Sequence, residues 1–314
     1  MDKRVEIDTR CGDAIKLFDE LKKNSVDLII ADPPYNLGKD YGNNIDTREK
    51  QEYLEFTRSW LKKAINALKP DGTIYVFMGV RFISYLYMIM EDELGLHFNS
   101  WIVWHYTQGI GKTRGFSPRH DDILQFTKSS KKFTFNGDEV KIPQKFYRER
   151  NNMRGANPGN VWKFSHVHYS NPNRQVHPTQ KPEGLIERMV LASSNKGELV
   201  LDPFSGSGTT QRVCQQLDRN CIGFEQNPEY IEMTNSRLAL PFNGFDSSDD
   251  RIFRVPNDLR HESIRSDYLK KHAEWFLKNH DTDRNLFIKA VKLKYGDAAA
   301  KEAKTYLTKG DEAN

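Results

Sequence analysis

A short run of residues at the end of one apolar segment has the chemistry to position an amino group. Residues 26–31 predict a buried strand, which Pro33 must end because proline cannot donate to a sheet ladder. Asp32 and the Pro33 carbonyl can accept the two N–H bonds of an amine, while Pro33 and Pro34 stiffen the turn. Tyr35 offers a flat face on which a base can stack. The run therefore predicts chemistry on the exocyclic amine of a nucleobase.

A second apolar segment ends in a similar way. Residues 199–201 are followed by Asp202 and then by small residues that open a helix. Gly206 and Gly208 let the backbone approach a ligand closely, and Glu225 ends the next strand about twenty residues further on. Strand, glycine turn, helix, strand and acid together are typical of a site for a ribose-bearing cofactor, with the acid on the ribose hydroxyls.

The residues of this turn distinguish between cofactors. The dinucleotide fingerprint needs a third glycine, and Gln211 stands at that position. Asp202 and Phe204 follow the strand, where a carboxylate would repel pyrophosphate but suits the ammonium of a methionine moiety. The sequence therefore favours S-adenosylmethionine over NAD. Methyl transfer from that donor to an amine depends on positioning and electrostatics, and it needs no metal.

Short apolar strands alternate with amphipathic helices along most of the chain, which predicts an α/β fold with a mostly parallel sheet. The predicted strands lie within the segments 5–9, 26–34, 72–79, 98–106, 121–129, 198–204 and 220–226. The predicted helices are residues 12–23, 50–69, 81–95, 182–194, 209–218 and 228–240, with a charged helical tail in 257–314. We expect the two acidic strand ends to share one pocket.

The composition indicates a reduced, cytoplasmic protein. The 314 residues include only three cysteines, Cys11, Cys214 and Cys221, and none lies in a C-x-x-C pair. Neither a disulfide framework nor a zinc site is expected. His166 and His168 have no third ligand nearby in the sequence, so no metal site is predicted. The chain has no apolar run long enough to span a membrane, and its first residues lack a signal-peptide pattern.

Positive charge is concentrated in the middle of the chain. The net charge is +4, but residues 107–176 hold 13 Lys/Arg against five Asp/Glu, a local excess of eight. A basic segment with interleaved aromatic residues predicts a polyanion-binding surface. A target amine inside a duplex is inaccessible, so its base must be flipped out of the stack. The residues predicted to contact DNA are Lys112, Arg114, Arg119, Lys145, Arg148, Arg150 and Arg154.

Three motifs together resemble a known family. The strings DPPY at 32–35, HPTQKP at 177–182 and DPFSGSGTT at 202–210 are similar to those of the β-group DNA amino-methyltransferases of restriction–modification systems. That group has a permuted order, with the catalytic motif before the cofactor motif and the target-recognition region between them. The resemblance implies a seven-stranded S-adenosylmethionine-dependent methyltransferase sheet with one antiparallel strand. It also implies adenine N6 as the usual target, and cytosine N4 less often.

The resemblance also implies roles for individual residues. Asp32 to Tyr35 would be catalytic, with Asp32 also touching the cofactor. The cofactor would be lined by the residues of the glycine turn, Asp202, Phe204, Ser205, Gly206, Ser207, Gly208 and Thr209, with Glu225 on its ribose. Thr179 and Lys181 would meet its carboxylate end, and Asp13 its adenine.

The motifs divide the chain into three parts. Residues 1–128 and 177–242 form the expected catalytic domain, with the catalytic half first and the cofactor half second. Residues 129–176 are the expected target-recognition insert, to which the loop 107–120 contributes. Residues 243–314 are a linker and a helical extension that many members of the family lack, with 14 Lys/Arg and 13 Asp/Glu. Packing on the core, a partner subunit and DNA binding are the roles weighed for it.

Several alternatives remain open from the sequence. Cytosine-N4 methylation uses the same chemistry, and a catalytically silent DNA-binding regulator could share the fold, although an intact DPPY argues against it. A small-molecule or RNA methyltransferase is disfavoured by the basic insert. Double-stranded DNA is the expected partner. The sequence leaves open the recognition site, a homodimer and a cognate restriction endonuclease, because base contacts depend on side-chain placement.

The basic segment generates a first prediction. Neutralising Arg148 and Arg150 together should weaken DNA binding and lower the slope of log affinity against log salt by about 2, because each phosphate contact releases counterions. Binding isotherms at several salt concentrations measure this slope. An unchanged slope would remove the two arginines from the DNA footprint.

Overall fold

The structure is a computed structural model that describes residues 5–38, 47–106, 111–142, 156–167, 174–175, 177–241, 269–270, 273 and 284–309. The chain divides into two compact units. The first contains Met1–Asn136 and Asn160–Ser248, and the second contains Gly137–Gly159 and Asp249–Asn314. No described helix is both long enough and apolar enough to cross a membrane.

The first unit is built on one sheet. Its strands are β1 Ile7–Cys11, β2 Val26–Ala31, β3 Leu68–Met78, β4 His97–His105, β5 His120–Thr127, β6 Val161–Lys163, β7 Leu199–Asp202 and β8 Asn220–Glu225. Their order across the sheet is β1-β8-β7-β2-β3-β5-β4-β6. Only β5 runs antiparallel to its neighbours, β3 and β4. The predicted mostly parallel α/β sheet with one antiparallel strand is confirmed.

Among the described residues, the sheet has eight strands where seven were predicted. The seven predicted strands are all present, with ends shifted by a few residues. The additional strand, β6, lies within the segment 129–176 and pairs in parallel with the end of β4, Val103 opposite Val161. Three residues are too few to show the alternating pattern of a strand in the sequence. Their strand conformation therefore depends on pairing with the free edge of β4.

Helices cover both faces of the sheet. They are α1 Ala14–Leu17, α2 Lys50–Ala67, α3 Ile83–Met88, α4 Glu183–Ser193, α5 Thr209–Gln216 and α6 Pro228–Leu238. Side chains of β2 alternate between two apolar clusters, Ile29 and Ala31 in one and Leu28 and Ile30 in the other. Since both faces are buried, the strand is a continuous apolar run rather than an alternating one.

The junction between α2 and β3 differs from the prediction. The helix predicted for residues 50–69 ends earlier, at Ala67, and the following Pro70, Asp71 and Gly72 lie within β3. The register shifts here, since Val26 pairs with Leu68 and Leu28 with Thr73. The extra residues form a bulge, which accommodates the proline that a regular ladder would exclude. The first predicted helix is also shorter, because a 3₁₀ turn at Phe18–Glu20 follows α1.

The described part of the second unit is mostly helical. It contains a 3₁₀ turn at Gly137–Val140, a bridge between Ile142 and Ala156, and the helix α7 Arg284–Lys309. Phe287, Val291, Ala299, Ala303 and Leu307 of α7 are buried. Their spacing in multiples of four places them along one inclined row of the helix surface, which winds around the helix axis. This helix lies in the charged helical tail that the sequence predicted.

A buried ion pair joins α6 to the start of α4. Arg237 Nη2 lies 2.6 Å from Glu183 Oε1, and both residues are at most 5% exposed. Arg237 Nη1 also donates to the Ser207 carbonyl at 2.9 Å and to Thr209 Oγ1 at 3.1 Å. One guanidinium therefore supports the glycine turn, the first turn of α5 and the start of α4.

Replacing this arginine should destabilise the protein strongly. Arg237→Met leaves the Glu183 carboxylate buried without its cation, which costs roughly 3–5 kcal/mol of unfolding free energy. Arg58→Met is the matched control, because it breaks a partly exposed pair with Glu93 that is worth less than about 1 kcal/mol. Urea titrations measure both values. Equal losses in the two variants would contradict a structural role for the buried pair.

Candidate active site

The two acidic strand ends meet because β2 and β7 are neighbours. Leu28 pairs with Val200 and Ile29 with Leu201, in parallel. The carboxyl ends of both strands therefore lie at the same edge of the sheet, where ligands bind in open α/β folds. A cavity at this edge is lined by nine of the residues predicted for the site: Asp32, Thr179, Lys181, Asp202, Phe204, Ser205, Gly206, Ser207 and Thr209.

The Asp32 carboxylate is held from both sides. The Tyr35 hydroxyl donates to Oδ1 at 2.8 Å, and Lys181 Nζ forms an ion pair with Oδ2. The Tyr53 hydroxyl donates to the Pro34 carbonyl at 2.7 Å, which ties the bend to α2. Pro33 is buried. The bend is thus anchored on the helix, and the Tyr35 hydroxyl orients the acid by a hydrogen bond.

Lys181 lines the cavity, and its ammonium forms an ion pair with Asp32. Its predicted contact with the carboxylate end of a cofactor stays a prediction. Thr179, also expected there, lines the cavity and donates its backbone N–H to His177 Nδ1 at 3.3 Å.

The glycine turn is tightly enclosed by protein. Gly206 and Gly208 have φ of +49° and +72°, the left-handed region that favours glycine. A Cβ on Gly206 would lie 2.7 Å from His177 Nε2, and one on Gly208 would lie 2.4 Å from Thr234 Cγ2. The sequence predicted a close approach of backbone to ligand. The structure adds that the turn is also in close contact with the histidine of the HPTQKP segment and with α6.

Asp202 is a buried acid with a raised pKa. Burial is the main cause and raises its pKa to about 7, with a smaller contribution from the charges of Asp32 and Glu225. Hydrogen bonds oppose this rise, from the Thr210 hydroxyl to Oδ2 at 2.6 Å and from the Phe204 N–H to Oδ1 at 3.1 Å. A carboxyl in this position titrates near neutral pH and is stabilised in its charged form by a cation.

Glu225 lies beside the turn and Asp13 lies at the start of α1, and neither is among the lining residues of the cavity. Glu225 accepts from the Gly206 N–H at 2.9 Å and from the Asn227 N–H at 2.8 Å, and burial raises its pKa. Asp13 is the N-cap of α1 and accepts from the Ile15 N–H at 2.8 Å. Their ligand-binding roles stay predictions.

The predicted DNA-binding residues are only partly described. Lys112 and Arg114 are exposed, and Arg119 donates to the Pro118 carbonyl at 2.9 Å. Phe116, between them, is fully exposed. Lys145, Arg148, Arg150 and Arg154 lie outside the described residues. Their contacts with DNA also stay predictions.

A family model described as DNA methylase, covering the N6 and N4 enzymes, matches residues 26–236. The chain belongs to the DNA methylase family. This match includes the bend after β2, the HPTQKP segment and the glycine turn, so all three motifs of the cavity fall within it.

Two relatives agree with this membership. The Type II methyltransferase M.HpaI of Haemophilus parainfluenzae is 60% identical over 299 residues, which is 95% of each chain. The DNA adenine methyltransferase YhdJ of Escherichia coli K12 is 35% identical over 241 residues, covering 73% of the present methylase and 81% of YhdJ.

Two solved structures have the same fold. The M1.HpyAVI–SAM complex has a TM-score of 0.53 and 27% identity, and the alignment covers 74% of this methylase and all of that chain. The cytosine-N4-specific PvuII DNA methyltransferase has a TM-score of 0.63 over 86% and 95% of the two chains. At 20% identity this second likeness shows the fold alone.

Several cavity residues of the methylase were missed by sequence reasoning. They are Ile30, Phe77, His177, Gln180, Ile186 and Thr210. His177 and Gln180 lie inside the HPTQKP string, so this motif was sufficient to predict both as residues of the site. Phe77 comes from β3 and carried no signal, because its place depends on the β2–β3 register. Within the described ranges, no group of three or more His, Cys, Asp or Glu side chains could hold a metal ion.

The raised pKa of Asp202 predicts a pH dependence of stability. Between the unfolded value of 3.8 and the folded value of about 7, the folded protein binds a proton that the unfolded chain has released. The contribution of the Asp202 carboxyl to the free energy of unfolding is therefore fully present below pH 4, and it is lost as the pH rises through 7. Asp202→Asn should remove this loss, which is roughly 2–4 kcal/mol.

Urea titrations from pH 4 to pH 8 measure the difference between wild type and variant. The exposed Asp71 provides the control, since Asp71→Asn should keep the wild-type pH profile. Parallel profiles for wild type and Asp202→Asn would contradict the assignment.

Proposed function

We propose that this methylase transfers a methyl group from S-adenosylmethionine to the N6 amine of a flipped-out adenine in double-stranded DNA. It acts as the modification enzyme of a Type II restriction–modification system. The observation that carries the proposal is the meeting of Asp32 and Asp202 in one cavity, together with the HPTQKP segment. The name of M.HpaI, a Type II methyltransferase, supports the class of system.

The residues of the cavity fit the proposed donor. Asp202 offers a carboxylate that a cation stabilises, and Phe204 offers a ring. Ser205 Oγ is buried and has no hydrogen-bond partner among the described residues, although it lines the cavity. A buried hydroxyl without a partner is costly and is suited to a polar ligand group. The SAM complex of M1.HpyAVI supports the same donor.

The bend after β2 supplies the catalytic groups. When bound, S-adenosylmethionine supplies an electrophilic methyl carbon on a sulfonium. The Asp32 carboxylate and the Pro33 carbonyl accept the two N–H bonds of the amine, which directs the nitrogen lone pair out of the plane of the base. Tyr35 keeps Asp32 oriented through its hydroxyl and offers its ring for stacking. Catalysis is then mainly positioning and electrostatic stabilisation.

Adenine is favoured over cytosine on two grounds. DPPY resembles the form of the motif that usually accompanies adenine N6, and YhdJ, at 35% identity, is named a DNA adenine methyltransferase. The N4 rival has support from the PvuII enzyme only at the level of the fold. The basic segment around residues 107–176 provides the proposed grip on the duplex.

Mapping the modified base tests this proposal. DNA from methylation-deficient cells that express the protein is digested to nucleosides and analysed by mass spectrometry. We expect N6-methyladenine. N4-methylcytosine in its place would correct the target base, and the absence of both modifications would overturn the proposal.

Asp32→Ala separates chemistry from binding. Turnover with DNA and labelled donor should fall by roughly 10²–10³-fold, while calorimetry should still detect binding of S-adenosylmethionine. Asp71→Ala is the control, because it removes an exposed carboxylate outside the cavity. Wild-type turnover in Asp32→Ala would exclude this acid from the mechanism.

A further inference from the structure

Lys181 places a positive charge inside the proposed donor cavity. Its ammonium pairs with Asp32 Oδ2, and the two side chains are 10% and 21% exposed. Among the described residues that line the cavity, Lys181 is the only lysine or arginine. The low exposure matters because charges that are shielded from water interact more strongly than surface charges.

The surroundings of this ammonium suit a cation generally. Its Nζ lies 5.1 Å from the centroid of the Phe77 ring and 5.6 Å from that of Tyr35. Aromatic faces attract cations at such distances. One carboxylate and two rings thus form an environment that would stabilise any positive group next to the reacting amine.

The backbone of Lys181 is fixed while its side chain is long. Thr209 Oγ1 donates to the Lys181 carbonyl at 3.3 Å, and the next residue, Pro182, is the N-cap of α4. A change in the position of the charge therefore requires only rotation about the side-chain bonds, without movement of the HPTQKP segment.

We propose that Lys181 is a positioning residue. Its ammonium competes with the sulfonium of the donor for electrostatic attraction to the Asp32 carboxylate. This inference rests on the proposed function. The pair with Lys181 keeps one oxygen of Asp32 occupied. A sulfonium in the same cavity repels the ammonium and releases that oxygen for the N–H of the target amine. The neutral thioether of S-adenosylhomocysteine exerts no such repulsion, so Asp32 becomes available only with the charged donor.

This assignment differs measurably from a role as ligand of the donor's carboxylate. Both S-adenosylmethionine and S-adenosylhomocysteine carry that carboxylate, and they differ in the charge on sulfur. Loss of a carboxylate ligand weakens the binding of both compounds by the same factor and leaves the ratio of their dissociation constants unchanged. Loss of a competing cation favours the charged donor alone.

The experiment is calorimetric binding of both compounds to the full-length protein and its Lys181→Met and Lys181→Gln variants. We expect the dissociation constant of S-adenosylhomocysteine divided by that of S-adenosylmethionine to rise roughly tenfold in both neutral variants, as expected for removal of one nearby charge. Thermal unfolding confirms that each variant is folded. If one neutral variant does not fold, the other still provides the measurement.

Two controls keep the interpretation specific. Lys181→Arg retains the charge and should keep the wild-type ratio. Lys69→Met removes an ammonium paired with Asp27, away from the cavity lining, and should also keep it. An unchanged ratio in the neutral variants overturns the inference while leaving the proposed function intact. If the wild type binds neither compound, the proposed function itself fails.

Discussion

The site depends on the parallel pairing of β2 with β7. These strands are separated by more than 160 residues in the chain, and Leu28 and Ile29 are held opposite Val200 and Leu201. The pairing brings two acidic strand ends to one edge of the sheet, and without it neither bend would face the other. Burial of both faces of β2 fixes the register, because a slip by one residue would exchange the two apolar clusters that its side chains fill.

Bringing two carboxylates together has an electrostatic cost that the surrounding groups offset. The charge of Asp32 contributes to the raised pKa of Asp202. Lys181 and the Tyr35 hydroxyl stabilise Asp32, while the Thr210 hydroxyl and a backbone N–H stabilise Asp202. The cavity therefore favours ligands with positive charge. This preference suits a sulfonium donor and agrees with membership in the DNA methylase family.

The glycine turn is held in place by contacts with two other parts of the fold. Gly206 contacts the His177 ring, Gly208 contacts Thr234, and Arg237 donates to the Ser207 carbonyl. The turn is thus held by the HPTQKP segment on one side and by α6 on the other. Glycine adopts this left-handed conformation without strain, and these neighbours leave no room for a side chain at either position. The charged pair of Arg237 with Glu183 extends the same support to α4.

The sequence by itself determined the strands around both acidic motifs and most of the cavity residues. Apolar runs bounded by proline and glycine predict strand ends from local chemistry alone. It missed β6 and the bulge at residues 68–72, because both exist through pairing with another strand. The partner of Lys181, 149 residues away in the chain, was decided by tertiary structure. Such a contact depends on strand order and register, and neither is encoded in the spacing of residues along one segment.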